Sequence, residues 1–335
     1  MTKKRSLTVL LLFDLSVDIK PEDYGSYWKT KEWKPEADVR DVLSRQGHRV
    51  VPFGVHNDIA PLIYKIHEVK PDVVFNMSEA FAGNRDFEPN LVALLELLKI
   101  PYTGSGPAGL QLCKNKGVTK EILVNHKIHI PKFIVAKRSH PPRSLKRLKF
   151  PAFIKPLELE ASEGISQVSV AATEKEALDR IRYIHERLGV DAIAEEYIDG
   201  RELYVSIIGN QKLTVFPPRE LFFEQVPDGE PKIATFRAKW DDQYRKKWGI
   251  HSGVAKALPE SVEKSLSTFC KRIYRHLRIQ GYGRIDLRVK QNGEVYFIEA
   301  NPNPSIAKNE DFALSAARAG LAYSELIAKI LALAI

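Results

Sequence analysis

The sequence is poor in cysteine and contains no long apolar run. Its 335 residues include two cysteines, Cys113 and Cys270, which give neither a disulfide framework nor a metal-ligand spacing. No apolar stretch is long enough to span a bilayer. The start is basic and then apolar, but it lacks a small-residue cleavage site and Asp14 interrupts it, so residues 7–13 are predicted to form a buried strand. These features predict a cytoplasmic protein with no membrane partner.

The positive charge of the chain is spread along its length. The formal net charge is +9, and the basic residues form only small clusters at 137–149, 237–247 and 271–278. No aromatic–basic RNA motif or zinc-finger spacing accompanies them. A nucleic-acid partner is therefore not expected, because an anionic small molecule such as a nucleotide accounts for the charge equally well.

The first third of the chain alternates strands with helices, which predicts an open parallel α/β sheet. The predicted elements are strands at 7–13, 49–53 and 72–77 and helices at 34–46 and 59–69. Ligands of such sheets gather at the carboxyl ends of strands, which here carry Asp14, Ser16, Asn76 and Glu79. These residues are candidate substrate contacts, although polar loop residues without such a role are common.

Further along the chain, helical spacing of apolar residues predicts longer helices. These helices are 90–98, 107–127, 174–189, 261–277 and 313–333, and residues 217–231 are predicted to form a loop.

The most informative stretch is residues 281–305. It reads as two strands, at 282–289 and 294–300, joined by the tight-turn signal Gln-Asn-Gly. Two prolines then end the second strand in a fixed turn. The stretch therefore predicts an antiparallel hairpin.

Antiparallel pairing in this hairpin would bring two carboxylates and a carboxamide together. Glu299 would lie close to Asp286, Asn301 would point the same way as Glu299, and Arg284 would share the face of Asp286. Oxygen ligands of this kind suit Mg²⁺, or Mn²⁺, which fills its shell with phosphate and water. A hairpin whose polar face only meets water gives the same pattern, so the motif alone leaves both interpretations open.

Three segments together resemble the ATP-grasp enzymes, most closely their D-alanine–D-alanine ligase branch. They are residues 96–123, residues 194–210 with the pattern AEEYIDGRELYVSIIGN, and the hairpin with G-x-x-R-x-D followed by E-x-N-x-x-P. The resemblance implies an N-terminal open parallel α/β domain followed by a two-part ATP-grasp fold. The implied domains are 1–114 on the substrate side, 115–197 as the small ATP-grasp domain and 198–335 with the metal site.

The resemblance also assigns roles to residues of this chain. The residues implied to contact the nucleotide are Lys116, Lys155 and Lys239 at the phosphates, Glu195, Glu196 and Ile198 around the adenine, and Glu202 at the ribose. The remaining implied roles are Asp286, Glu299 and Asn301 as metal ligands and Arg284 at the reacting centre. Each has an ordinary alternative when taken singly. Lys116, or its neighbour Lys114, can lie on a solvated helix face, and Lys155 can extend from a strand end into water.

The implied reaction is ATP-dependent ligation. A carboxylate, of an amino acid, becomes an acyl phosphate, an amine attacks it, and ADP and phosphate are released; a homodimer is an allowed assembly. The chain departs from the branch where substrates are chosen, at residues 14–25, 78–90 and 304–311. Glu310 and Asp311 indicate a basic or amine substrate. The alternatives are a D-alanine–D-alanine ligase with altered loops and a non-catalytic nucleotide- or nucleic-acid-binding protein.

Overall fold

A parallel sheet forms the N-terminal part of the computed structural model, which describes residues 6–17, 19, 24–227 and 229–335. Its elements are β1 (Thr8–Asp14), α1 (Tyr24–Tyr27), α2 (Lys34–Arg45), β2 (Arg49–Val55), α3 (Ala60–Val69), β3 (Val73–Asn76) and α4 (Glu88–Leu97). The strands lie in the order β2–β1–β3 and all pair in parallel. The predicted parallel sheet is therefore confirmed, with α3 and α4 packed on one of its faces.

An antiparallel sheet follows in the middle of the chain. Its elements are α5 (Pro107–Lys114), α6 (Lys116–Asn125), β4 (Phe133–Ala136), β5 (Ala152–Pro156), β6 (Val170–Ala171), α7 (Glu174–Tyr183) and β7 (Ala192–Glu196). The strand order is β4–β7–β5–β6. The apolar side of α7, with Ala177 and Ile181, packs on this sheet in a core of its own.

A larger antiparallel sheet completes the chain. Its elements are β8 (Arg201–Ile208), β9 (Thr214–Val215), β10 (Arg219–Phe223), α8 (Phe236–Trp240), α9 (Asp242–Trp248), β11 (Ile250–Val254), α10 (Glu260–His276), β12 (Tyr282–Val289), β13 (Val295–Pro302), α11 (Asp311–Arg318) and α12 (Tyr323–Ala332). The strands run β11–β10–β8–β12–β13, and β9 pairs with β8. One face of this sheet packs on α10 through Val262, Leu266 and Ile273.

The last two helices return to the first sheet. Phe312 of α11 and Leu326, Ile327 and Ile330 of α12 share one buried core with Val9 and its neighbours on β1. The second face of the parallel sheet is thus covered by α2 together with these C-terminal helices. The predicted N-terminal α/β domain is in this sense completed by residues from the other end of the chain.

Three predictions about local structure were wrong. Residues 217–231 contain a strand, β10, because the segment beginning at Arg219 pairs with both β8 and β11; residue 228 lies outside the described part. The predicted helix 107–127 breaks at Asn115, whose side chain accepts a hydrogen bond from the Val118 N–H and starts α6. The predicted helix 313–333 divides into α11 and α12 around Gly320, which has φ +82°.

The three sheets lie inside the three segments predicted as domains. The exact boundaries 1–114, 115–197 and 198–335 stay predictions, and so does the homodimer. Among the described residues, no helix combines the length and the apolar character needed to cross a bilayer.

Gly209, directly after β8, provides a test of this architecture. Its φ is +128°, and a Cβ there would lie 2.2 Å from the backbone oxygen of Lys212. Its N–H also donates to the Gly281 oxygen and its carbonyl accepts from the Tyr274 hydroxyl. We expect Gly209→Ala to lower the free energy of unfolding by about 3 kcal/mol, since the left-handed backbone and the clash act together.

The matched control is Gly47→Ala. Gly47 has φ +87° but no heavy atom within 4 Å of a new Cβ, so we expect a loss of about 1 kcal/mol from the backbone conformation alone. Urea denaturation of both variants measures the difference. Equal losses would contradict the packing described for Gly209.

Candidate active site

The hairpin of β12 and β13 forms the centre of the site. The strands pair antiparallel, with Asp286 opposite Glu299 and Arg284 opposite Asn301, as the sequence predicts. The Asn301 amide donates to Asp286 Oδ2 at 3.1 Å. A register shift follows Asp286. The hairpin therefore brings the two predicted carboxylates and the carboxamide to one corner of the sheet.

Strand β8 extends this corner on the other side of β12. Glu202 pairs with Arg288, Tyr204 with Asp286 and Ser206 with Arg284. Residues directly opposite each other in a sheet point to the same face, and so do alternate residues of one strand. One face of the sheet thus carries the predicted ribose ligand Glu202 beside the predicted metal ligands.

Arg284 is held firmly at the edge of this face. Its guanidinium donates to both oxygens of Asp286, at 2.7 and 2.9 Å, and lies 4.7 Å from the centre of the Tyr204 ring. Burial works to lower the pKa of Arg284, but the Asp286 charge and hydrogen bonds raise it above its ordinary value. Arg284 therefore stays positively charged.

Glu299 faces several cations. Lys116 Nζ lies 3.5 Å from its carboxylate and also donates to the Leu159 backbone oxygen at 2.7 Å. Burial raises the pKa of Glu299, but the charges of Lys116, Lys155, Lys239 and others outweigh it and hold the pKa at about 2. Glu299 is therefore ionised at neutral pH, as a metal ligand must be.

Two lysines share the carboxylate of Glu195. Lys155 Nζ lies 3.3 Å from one oxygen and Lys120 Nζ lies 3.2 Å from the other, and all three side chains are almost fully buried. The side chain of Glu195 is thus an internal counter-ion for lysines, while its predicted place at the adenine stays a prediction.

Lys120 is a residue that the sequence reasoning missed. It lies one helical turn after Lys116 on α6, so the two point the same way, and this spacing was the available signal. Burial lowers the pKa of Lys120 to about 8 against the opposing charge of Glu195. Lys114, the other candidate on this segment, instead pairs with Asp86 at 2.9 Å.

An open cleft lies over this face of the sheet. Eight of the eleven predicted site residues line it: Lys155, Glu195, Glu196, Ile198, Glu202, Lys239, Asp286 and Glu299. The other three, Lys116, Arg284 and Asn301, contact Glu299 or Asp286. The predicted residues therefore converge on one place.

The helix α8 closes one side of the cleft. Its Lys239 has no ion-pair partner within the described part of the chain. The loop before β6 packs against it, since the Trp240 indole donates to the Ala161 oxygen at 3.1 Å and the Ser162 hydroxyl donates to the Ala234 oxygen at 2.8 Å. Ala161 and Ser162 have positive φ. This loop and Lys239 thus face the cleft together.

A second group of charges lies at the carboxyl ends of β1 and β3. Asp14 accepts from the Glu79 backbone N–H at 2.7 Å, and Arg85 lies 3.4 Å from Glu79 and 3.5 Å from Glu160. Glu79 was predicted from the sequence, and the structure adds Glu160 from the loop before β6. This edge of the sheet is rich in carboxylates.

The two acidic residues predicted near the end of the hairpin behave differently from each other. Glu310 is exposed. Asp311 is already neutralised within the protein, because Arg219 lies 2.7 Å from it and the Ser252 hydroxyl donates to it. Asp311 therefore supports the sheet, and the charge pattern leaves Glu310 as the candidate for a substrate contact.

Comparisons with known proteins agree with this geometry. The family model described as "D-ala D-ala ligase C-terminus" matches residues 110–332. The uncharacterized protein y4sG of Sinorhizobium fredii is 31% identical over 77% of this chain and 73% of its own length. The D-alanine–D-alanine ligase of Nitrosospira multiformis is 32% identical over 76% of this chain and 78% of its own length.

A solved structure shows the same fold. The D-alanine–D-alanine ligase of Bacillus anthracis complexed with ATP aligns with a TM-score of 0.73 at 21% identity, over 98% of this chain and 97% of that one. The hairpin, the lysine-lined cleft and these matches lead to one conclusion: the chain belongs to the D-alanine–D-alanine ligase family of ATP-grasp enzymes, which are ATP-dependent carboxylate–amine ligases.

Proposed function

We propose that this enzyme uses ATP to activate a substrate carboxylate and then joins it to an amine, with the nucleotide in the cleft described above. The observation that carries the proposal is the meeting of oxygen-bearing side chains from the hairpin with lysines from two other parts of the chain. Phosphoryl transfer needs such positioning and charge rather than covalent help from the protein.

The donor set at the hairpin corner fits Mg²⁺ or Mn²⁺. Asp286 and Glu299 offer carboxylate oxygens and Asn301 an amide oxygen, and phosphate and water oxygens complete the shell of such an ion. This set contains two carboxylates and one amide. Among the described residues, no group of three or more His, Cys, Asp or Glu side chains is placed to hold a metal ion. When bound, the metal would neutralise charge on the terminal phosphates.

The remaining side chains divide the work of binding and orientation. Lys116, Lys155 and Lys239 approach the same carboxylate, Glu299, and would bind the phosphates. The backbone around Glu196 and Ile198 would contact the adenine. A substrate carboxylate oxygen would attack the γ-phosphorus in line and release ADP.

Arg284 would act in the second step. The amine attacks the acyl carbon, a negative charge develops on the acyl oxygen, and phosphate leaves as the amine loses its proton. A fixed guanidinium stabilises that oxyanion in the transition state more than the neutral carbonyl. Because Asp286 holds Arg284 through two hydrogen bonds, the donor is already oriented before the substrate binds.

We further propose that the amine substrate carries positive charge that the acidic edge of the first sheet attracts. Asp14, Glu79 and Glu160 lie there with a single arginine, Arg85, between two of them. The second candidate is ligation of two D-alanines, which the names of the family and of several relatives favour.

Phosphate release from Mg-ATP across a panel of amino-acid pairs separates the two candidates. We expect turnover with a cationic amine partner to exceed turnover with D-alanine alone by about tenfold, the effect of one favourable charge contact. Turnover with D-alanine as the sole amino acid that exceeds turnover with every other pair would establish the second candidate.

The metal corner is tested by Glu299→Gln. The substitution preserves size but removes one ligand charge, so we expect ATP turnover to fall by at least about a hundredfold, the usual scale for lost electrostatic stabilisation. The control is Glu294→Gln at the turn end of the same hairpin, where exposed Glu294 pairs with Lys290, accepts from the Tyr296 hydroxyl and does not line the cleft. Circular dichroism checks folding, and near-wild-type turnover of a folded Glu299→Gln would refute the metal assignment.

Glu88, near the acidic edge, should make the stability of the fold depend on pH. Burial raises its pKa, the charges of Glu160 and Glu79 raise it further, and Lys114 and Asn303 oppose them, giving a value of about 8. Because the folded-state pKa exceeds the ordinary value, protonated Glu88 stabilises the fold at acidic pH, and this contribution is lost as pH rises to about 8. We expect Tm to fall from about pH 5 to about pH 8 more steeply in wild type than in Glu88→Gln.

Part of the fall in Tm with pH should persist in Glu88→Gln. Burial, with Asp14 and Glu79, raises the pKa of Glu36 to about 7, so Glu36 adds a contribution with the same sign. The control is Glu68→Gln, because Glu68 is exposed on α3 and pairs with Lys65 at the surface. Identical slopes for Glu88→Gln and Glu68→Gln in differential scanning fluorimetry would show that Glu88 is not protonated in the fold.

A further inference from the structure

Arg288 stands at the nucleotide cleft without a role in the function proposed above. It follows Asp286 by two positions on β12, so it points to the same face of the sheet and lines the cleft. It is 5% exposed. A buried arginine in a nucleotide cleft needs partners, because an unpaired buried charge is costly.

Two segments supply those partners. The Arg288 guanidinium donates to Glu202 Oε2 at 2.6 Å, to the Gly200 backbone oxygen at 3.1 Å and to the Lys232 backbone oxygen at 2.5 Å. The Lys232 N–H in turn donates to the Tyr197 hydroxyl. One side chain therefore ties the hairpin to the strand that carries Glu202 and to the segment that leads to α8.

The contacts leave Glu202 oriented but not saturated. Its Oε2 accepts from Arg288 and its Oε1 accepts from the Tyr204 hydroxyl at 3.0 Å. A carboxylate has about four acceptor positions, so each oxygen can accept one more hydrogen bond. Two free acceptor positions on a fixed carboxylate are what the two hydroxyls of a ribose require.

We propose that Arg288 is a positioning residue for ribose recognition: it fixes the Glu202 carboxylate so that both oxygens face the 2′- and 3′-hydroxyls, and it anchors the Lys232 segment beside them. The inference rests on the proposed nucleotide site. Lysine cannot replace this function fully, since a guanidinium reaches three acceptors in a fixed plane and an ammonium is a single point of charge.

The test measures binding of ADP, 2′-deoxyADP and 3′-deoxyADP with magnesium by isothermal titration calorimetry. Hydrogen bonds to a charged group are strong enough that we expect wild type to prefer ADP over each deoxynucleotide by at least about tenfold. In Arg288→Met this preference should fall to about twofold, because Glu202 loses its orientation. Arg288→Lys should be intermediate.

A matched control lies on the neighbouring position of β8. Arg201 pairs with Glu220 at 2.6 Å and donates to the Lys256 and Ala257 backbone oxygens, so it resembles Arg288 in its partners. As the residue before Glu202, it points to the opposite face of the sheet and does not line the cleft. Arg201→Met should keep the wild-type preference for ADP.

Loss of stability is separated from loss of recognition by a second variant. Glu202→Gln/Arg288→Met removes both charges together, and its preference for ADP should equal that of Glu202→Gln alone. If Arg288→Met does not fold, this double variant and Arg288→Lys carry the test.

The possible outcomes distinguish the role of Arg288 from the proposed nucleotide site on which it rests. A folded Arg288→Met that binds all three nucleotides more weakly by the same factor would overturn the role of Arg288 while leaving the nucleotide site intact. Wild type that binds ADP without any preference for the ribose hydroxyls would overturn the roles of Glu202 and Arg288 together. Wild type that does not bind ADP would overturn the proposed nucleotide site itself.

Discussion

The site depends on two carboxylates that keep buried lysines charged. A cleft for polyphosphate needs several cations close together, yet burying lysines without anions would force them to lose their protons. Glu195 lies between Lys120 and Lys155, and Glu299 lies near Lys116, so each carboxylate serves as an internal counter-ion. In the proposed function, the phosphates would then share the cations with groups that already hold them in place.

Much of this arrangement could be predicted from the sequence because it arises from local pattern. Alternation and a short turn predict the antiparallel hairpin, and a register shift between Asp286 and Leu287 then places Asp286 opposite Glu299. The alternation of strands and helices likewise predicts the parallel sheet. Lys155 was named through the resemblance to the ATP-grasp enzymes, and it lines the cleft.

What the sequence did not reveal depends on contacts between distant segments. β10 is a strand because β8 and β11 flank it, and nothing within its five residues says so. In the sequence, Lys120 is one of several helical lysines. Only the fold places it beside Glu195 on β7. Asp311 was predicted to indicate an amine substrate. Its ion-pair partner, Arg219, lies 92 positions earlier in the chain, so local sequence patterns do not show the contact.

The return of α11 and α12 to the first sheet has a consequence for how the chain matures. β1 is synthesised long before Phe312 and Ile330, which cover one of its faces. Until α11 and α12 have emerged from the ribosome, that face of the sheet has no complete cover, and its apolar side chains are open to chaperones. The N-terminal α/β unit therefore finishes folding only once those two helices have been made.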